Sequence, residues 1–444
     1  MSVKKLIIFI VVLLSVFSCC RKFHRQFLGE GPIVIDQGND VVLDSSKNVY
    51  VMGRAFGKIG KNEFKKDDNI FLTKLDSEGG ILSISQWSAG VSTVGKNLFL
   101  DSENNIYIGG DSILSIDEIV GGSERKVKVF FQKFNSSGKE LWSKEWGSEK
   151  DDYFSSAALD VAGNIYVTGS TSGTIYNKSN GKSDVFITKL DKNGEVKWGK
   201  QWGTQSSDYS EKVVVDKSGN IFVLGHIWGD LDGNLNKGKF DIFLIKFNSE
   251  GNKVWTRQLG TEENDIGKDM VVDSSGNFYI TGYTGGSWGA KNKGMRDVLL
   301  IKLSLDGELL WIRQWGGGFC DDGFSLALDS KEDIYVTGGK CCSLQGCYKN
   351  FISKWTKDGK KIWLEQFGTK DRDKIKSLVI DSNDNIYITG FTEGMLDKGS
   401  FSEKKCFAGY KPFEYPCKGI FLMKWKSDGT RLWTKQWGSE ESKK

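Results

Sequence analysis

One unit of about 57 residues recurs along this 444-residue chain, and a repeat of that length constrains the fold more than any single motif inside it. The third copy shows every part of the unit. Asp160, Asn164, Tyr166 and Gly169 open it, residues 184–190 form its middle, and Gly194, Trp198, Trp202 and Gly203 close it. The opening aspartate returns at Asp44, Asp101, Asp160, Asp216, Asp273, Asp329 and Asp381, with spacings of 57, 59, 56, 57, 56 and 52 residues. No stretch after Phe17 sustains the apolar period of about 3.6 that a helix would need, so the copies indicate propeller blades and not a helical solenoid.

Each copy divides into four strands. The first is the apolar run before the aspartate, Val213-Val214-Val215 in the fourth copy, and the Asp-Lys-Ser-Gly-Asn that follows is hairpin-turn chemistry. The third strand, Val185 to Leu190, is apolar on both faces, as a strand sandwiched between neighbouring blades must be. The fourth runs from Val196 to Trp202 and puts Trp198 and Trp202 on one pleat face, where they can cover the next blade. Strict alternation puts Lys200 on that face too, so either its stem lies along the rings or a bulge intervenes. The expected fold class is all-β: a single seven-bladed β-propeller with four antiparallel strands per blade. The unit begins with its own innermost strand and the last copy ends at Trp437-Gly438. Each blade is therefore expected to come from contiguous sequence, with the ring closing through side chains between the first and seventh blades. Residues 33–35 are a candidate for one extra strand there. The first two copies are the most degenerate, with Ser88 where Gly is expected and Gly109-Gly110 in place of Thr-Gly.

Composition agrees. The 54 Gly against 3 Pro suit many tight turns and little proline-rich linker. The 61 Lys and Arg against 57 Asp and Glu alternate along the chain, so no basic stripe marks a nucleic-acid surface, and no nucleic-acid partner is expected.

The repeated Gly-Asn-Ile-Tyr-Val-Thr-Gly, Asp-Val-Phe-Ile-Thr-Lys-Leu and Trp-x-x-Gln-Trp-Gly segments resemble the bacterial seven-bladed β-propeller repeat (SBBP) family, from Asp36 to Gly438. The resemblance implies a propeller in a secreted or surface protein, with no reaction attached to the repeat. The closing Leu-Asp-x-x-Gly-x-x-x-Trp is similar to the tryptophan motif of quinoprotein propellers. Those occur in quinone-dependent dehydrogenases and in an outer-membrane assembly lipoprotein, both eight-bladed. Seven copies stand here and nothing identifies a quinone site, so no cofactor is expected. The likeness implies a shared way of docking blades.

Lys4 and Lys5 precede an apolar run from Leu6 to Phe17, shorter than the roughly 20 residues a membrane-spanning helix needs. Residues 1–18 read as a signal peptide. Val16-Phe17-Ser18-Cys19 resembles the lipobox of bacterial lipoproteins, with Phe17 departing from the small or aliphatic residue of that motif. The resemblance implies lipidation of Cys19, a tether over residues 19–31 and a propeller over 32–439. The competing reading is an ordinary signal peptide with chance cysteines. At about 0.8 kcal/mol per buried methylene, two or three acyl chains would hold the protein on a membrane surface.

Residues shared by every copy are explained by blade architecture, so function is sought in departures and at the end of the ring where two connections per copy gather. An aspartate stands eight residues before six of the seven opening aspartates: Asp36, Asp152, Asp208, Asp265, Asp321 and Asp373, with Thr93 in the second copy. It reads either as an acidic ring at the channel mouth or as a cap on each inter-blade turn; the cap is the simpler reading. Cys320, Cys341, Cys342, Cys347, Cys406 and Cys417 all fall in connections at that end. In an exported protein they read as disulfides, with Cys406 and Cys417 a candidate pair and three pairings open for the other four. Zinc competes, but Cys-Cys-x4-Cys matches no standard knuckle and both histidines, His24 and His226, lie far away, so no metal is expected. Whether Cys20 is paired stays open.

The connection 391–418 carries Phe401, Phe407, Tyr410, Phe413 and Tyr415, aromatics that suit a protein or glycan partner or else a self-packed flap over the channel. Asp230, Asp232, Asn234 and Asn236 alternate as in calcium loops, but Gly233 is misplaced for an EF-hand and a polar surface loop is the simpler reading. No nucleophile elbow or phosphate loop is present, and His226 is the one plausible general base in the folded region. The sequence therefore reads as a monomeric, non-catalytic outer-membrane lipoprotein that binds a protein or glycan. A periplasm-facing assembly scaffold is the alternative, and an enzyme working in the channel the more distant one.

Overall fold

The computed structural model describes residues 36–59, 69–88, 92–115, 125–177, 179–341, 348–396 and 419–438. Its 28 strands form seven four-stranded antiparallel sheets, each in sequence order. The first strands of successive blades contact one another around the ring, and so line a central channel: Gln37–Leu43, Ser92–Leu100, Asp152–Leu159, Asp208–Val215, Asp265–Val272, Asp321–Leu328 and Asp373–Ile380. The all-β, seven-bladed architecture is the one the repeat indicated. The two degenerate copies build complete blades, and in the second the middle strands lengthen to Ile106–Ser115 and Arg125–Phe134.

The turn after each first strand shows why the repeat keeps its polar residues. Asp160 accepts hydrogen bonds from the backbone of Ala162 and Asn164, from the Asn164 side chain, and from the Tyr166 hydroxyl at 3.1 Å. Gly163 takes the left-handed conformation that closes the turn, at φ +80°. Burial pushes the Asp160 carboxyl up, but these four donors outweigh it and leave it below the usual carboxylate range.

Apolar cores lie between blades. Tyr166, Val185 and Ile187 of the third blade pack with Val213, Val223 and Ile245 of the fourth. The same packing closes the ring, where Val41, Val51 and Phe71 meet Tyr387, Ile420 and Trp437. No blade is shared, as contiguous copies require; residues 33–35 lie outside the described residues.

At the outer rim every blade but the first, which has Ser83 in place of the tryptophan, seats the hairpin of the next. The extra residue in the fourth strand of the third blade is Lys197, so alternation from Trp198 to Trp202 is unbroken and Lys200 stays on the tryptophan face. Its stem lies beside Trp198 against Gly251, where a Cβ would stand 3.1 Å from Lys200 and 2.9 Å from Trp198. Gly79 sits likewise on Trp433 and Lys435 at the closing junction. Stem packing, not a bulge, settles Lys200.

Candidate functional site

The six aspartates do not form an acidic ring open to the channel mouth. Asp36, Asp152, Asp208, Asp265, Asp321 and Asp373 are all buried, at 0–3% exposure, because each carboxylate turns back onto backbone of a neighbouring connection. Asp152 accepts from Ser148, Asp208 from Thr204, Asp265 from Thr261, Asp321 from Gly317, Asp373 from Thr369, and Asp36 from the amide of Phe56. Five of them are the inter-blade turn caps of the simpler reading, while Asp36 bonds the connection between the second and third strands of its own blade.

Their burial also explains the closing glycine. Gly203 is pressed between Asp184 and Asp208, and a Cβ there would stand 2.6 and 2.7 Å from the two carboxylates. Gly260 and Gly316 sit between the equivalent pairs, Asp241 with Asp265 and Asp297 with Asp321. Burial pushes Asp208 and Asp265 up to about 6 against their hydrogen bonds, with Asp184 and Asp241 adding repulsion.

Sequence reasoning left the glutamine of Gln-Trp-Gly without a role. Gln201 donates to Asp184 and to the Gly173 carbonyl, both at 2.9 Å, and accepts from the Ile175 amide. Gln258 and Gln314 repeat all three bonds, and Gln86 and Gln436 repeat the two to the connection. Recurrence at one position of six of the seven copies, Glu145 being the exception, was the signal for it.

The channel wall was not legible in the repeat. Every first strand is bulged five residues before its opening aspartate, at Asn39, Lys96, Ser155, Glu211, Lys268, Phe324 and Lys376. A bulge leaves that residue outside the ladder and re-aims it. The residue after it joins an interblade belt. Asp40 accepts from Ser377, Asn97 and the Leu98 amide; Asn97 accepts from the Ala157 amide; Lys212 pairs with Asp269, which also accepts from Ser325. Burial raises Asp40 despite its donors and Lys212 across the channel.

Nearer the mouth, Lys96 pairs with Asp111 at 2.6 Å, Lys268 with Glu211, and Arg296 with Asp322 at 2.6 Å while lying over the Tyr283 ring. His226 is buried against Tyr209 and Phe240, with Nδ1 3.4 Å from Glu211. Burial, helped by Lys268, holds it well below its ordinary range and therefore neutral. Lys374 and Lys376 differ from all of these: among the described residues neither ammonium group makes a hydrogen bond or ion pair, and that of Lys374 only faces the Phe324 ring at 4.8 Å.

The alternating Asp230 to Asn236 segment does not converge on a cation. Asp232 binds Lys253 and Thr256, Asp230 takes the Asn236 amide, and the two asparagines donate to loop carbonyls. No cluster of three or more metal-ligating side chains occurs among the described residues. Cys320 stands just before Asp321 with its sulfur 3.9 Å from Met295, and Cys341 ends the strand Ile334–Cys341, both at the mouth end. The side chain of Cys341 lies outside the described residues. So do Cys19, Cys342, Cys347, Cys406, Cys417 and the aromatic residues Phe401, Phe407, Tyr410, Phe413 and Tyr415.

A family model for the SBBP beta-propeller repeat matches residues 141–177, 197–232, 254–287 and 362–394. Each match runs from the fourth strand of one blade into the second strand of the next or just past it, so it frames the junction where tryptophan, glycine and buried aspartate meet. Among curated proteins, the chain is 25% identical over 261 residues to "Regulatory protein FlaEY" of Caulobacter vibrioides, covering 51% of this chain and 27% of that protein. It is 24% identical over 224 residues to an uncharacterized WD repeat-containing protein of Acanthamoeba polyphaga mimivirus, covering 45% of this chain and 14% of that one. The chain thus spans about a quarter and a seventh of the two curated relatives. Solved structures similar to it include the polysaccharide lyase Uly1, at 10% identity and TM-score 0.48 over 83% of this chain and 89% of that one. A virginiamycin B lyase from Staphylococcus aureus matches at 8% identity and TM-score 0.47, over 81% and 94%. The SBBP beta-propeller repeat is thus recognised in four places along a ring of seven blades.

Proposed function

We propose that this propeller is a non-catalytic binding and scaffold module of the bacterial cell envelope, anchored by a lipid on Cys19, that engages a protein or glycan at the mouth end of its ring. One observation carries the reading: repetition and variation are divided by position. Residues kept from copy to copy are consumed by turns and junctions, as with Asp160, Tyr166, Gln201 and Gly203. The bulge positions of the first strands hold Asn, Lys, Ser, Glu, Lys, Phe and Lys in turn, so the wall varies where the turns and junctions repeat, even though Asn39, Lys96, Glu211 and Lys268 also bond across blades. Variation on a rigid scaffold is what a recognition surface needs.

The connection with Phe401, Phe407, Tyr410, Phe413 and Tyr415 leaves the described strands at Thr392 and returns at Gly419, and in this reading it contributes to that end, with disulfides among Cys320, Cys341, Cys342, Cys347, Cys406 and Cys417 to stiffen it. A relative named as a regulatory protein suits action through a partner. Protease treatment of intact cells, with a periplasmic protein as leakage control, tests the placement. Rapid cleavage is expected for a surface binder; protection until the outer membrane is opened would favour the periplasm-facing assembly scaffold.

A further inference from the structure

We propose that the channel of this propeller holds a receptor site for a small oxyanion group, a carboxylate, phosphate or sulfate, bound between Lys374 and Lys376 with Arg372 at the entrance. The proposal deepens the binding-module reading by naming the chemistry of its ligand.

The three cations stand at alternate positions of the seventh blade's first strand, whose ladder extends back to Arg372 through the bond its carbonyl accepts from Glu393. Alternation puts Arg372 and Lys374 on one side of the strand, and Lys376, re-aimed by the bulge, is close enough to feel the charge of both. The neighbouring channel cations have carboxylates: Lys96 has Asp111, Lys212 has Asp269, Lys268 has Glu211 and Arg296 has Asp322. Lys374 and Lys376 have none, although Asp322, already held by Arg296, attracts Lys374 from a distance. Lys376 instead feels Lys374, Arg372, Lys96 and Lys268. Burial and this crowd push Lys376 down to about 7 and Lys374 to about 8.

A half-buried cation without a counter-charge opposes folding, and four of the other six blades place no cation at the bulge, which holds Asn39, Ser155, Glu211 or Phe324 there. Where the bulge is lysine in other blades, at Lys96 and Lys268, a carboxylate pairs with it, and the position equivalent to Lys374 is Gln37, Val94, Tyr153, Tyr209, Ile266 or Asp322. The Lys374 ammonium over the Phe324 ring, with Lys376 near enough to feel its charge, fits an oxyanion that would supply the missing charge.

Calorimetric titration of the full chain with inorganic phosphate, sulfate and acetate at neutral pH tests this. Saturable binding of at least one is expected, and the preferred anion tells a phosphorylated from a sulfated or a carboxylate-bearing source. The Lys374→Met, Lys376→Met double variant should weaken that binding by about tenfold or more, while Lys217→Met, on the exposed hairpin at the other end, leaves it unchanged. Lys376→Gln, which removes the charge but keeps a polar end on an unbranched stem, serves if the double variant fails to fold. Absence of saturable binding by all three anions, or equal affinity in the lysine variants, overturns the site. Neither result bears on whether a protein or glycan is captured elsewhere at the mouth, which pull-down with the full chain reads separately.

Discussion

The Ser377 hydroxyl donates to Asp40 at 2.7 Å, joining two residues 337 apart in sequence across the junction that closes the ring. Asp40 also takes the Leu98 amide and the Asn97 side chain, so it links the first blade to both of its neighbours. Asp40→Ala would strand those donors on a half-buried wall and is expected to lower stability by about 2 kcal/mol. Chemical denaturation of the two proteins measures it. An unchanged midpoint would mean that the apolar contacts of Val41, Val51 and Trp437 close the ring without help from the belt.

Two glycines separate packing from turn chemistry. A methyl group at Gly203 would press on both Asp184 and Asp208, whereas Gly318 has nothing within 4 Å of the same point. Gly203→Ala is expected to cost about 1–3 kcal/mol through overpacking at the junction. Gly318→Ala is expected within about 0.5 kcal/mol of the parent protein. Thermal melts of the pair decide it, and equal melting temperatures would refute the pairing of buried aspartates around the glycine.

The aspartates of one repeat are expected to titrate with opposite consequences. Asp160 ends below its unfolded value of 3.8, so its contribution is present above that pH and is lost as the pH falls through the folded value. Asp208 is raised from 3.8 to about 6, so the native state holds its proton more tightly. Its contribution is greatest below pH 3.8 and is lost as the pH rises toward about 6. Carbon-13 titration of the aspartate carboxyls should find Asp208 and Asp265 with midpoints near 6 and Asp160 well below them. Midpoints below 4 for Asp208 and Asp265 would show that water reaches the junctions.

What the sequence displayed was whatever repeats. Asp160, Asn164, Gly163 and Tyr166 make contacts within seven residues, so the turn could be read from spacing, and tryptophans four apart announced the docking face. Asp208 resisted because its partner Asp184 lies in the preceding blade and its exposure depends on a junction that no linear spacing encodes. The bulge at Lys376 resisted for a different reason. Strict alternation predicts the pleat, and a single extra residue shifts every side chain before it, with only a register to reveal it.

Lys376 offers the clearest test of how the channel is charged. Its folded value of about 7 lies below the unfolded 10.5, so the unfolded chain binds the extra proton between those limits. The cost is therefore fully present below about pH 7 and is relieved as the pH rises toward 10.5. Lys376→Met removes the ammonium while keeping an unbranched stem, and should be more stable than the parent at neutral pH, with the gap closing as the pH rises. Adding an anion that fills the site stabilises the parent and leaves the variant alone, so the gap should close at neutral pH as well. Denaturation midpoints measured across that pH range with and without phosphate read both effects. A gap that ignores both pH and phosphate would mean that solvent in the channel already screens the lysine.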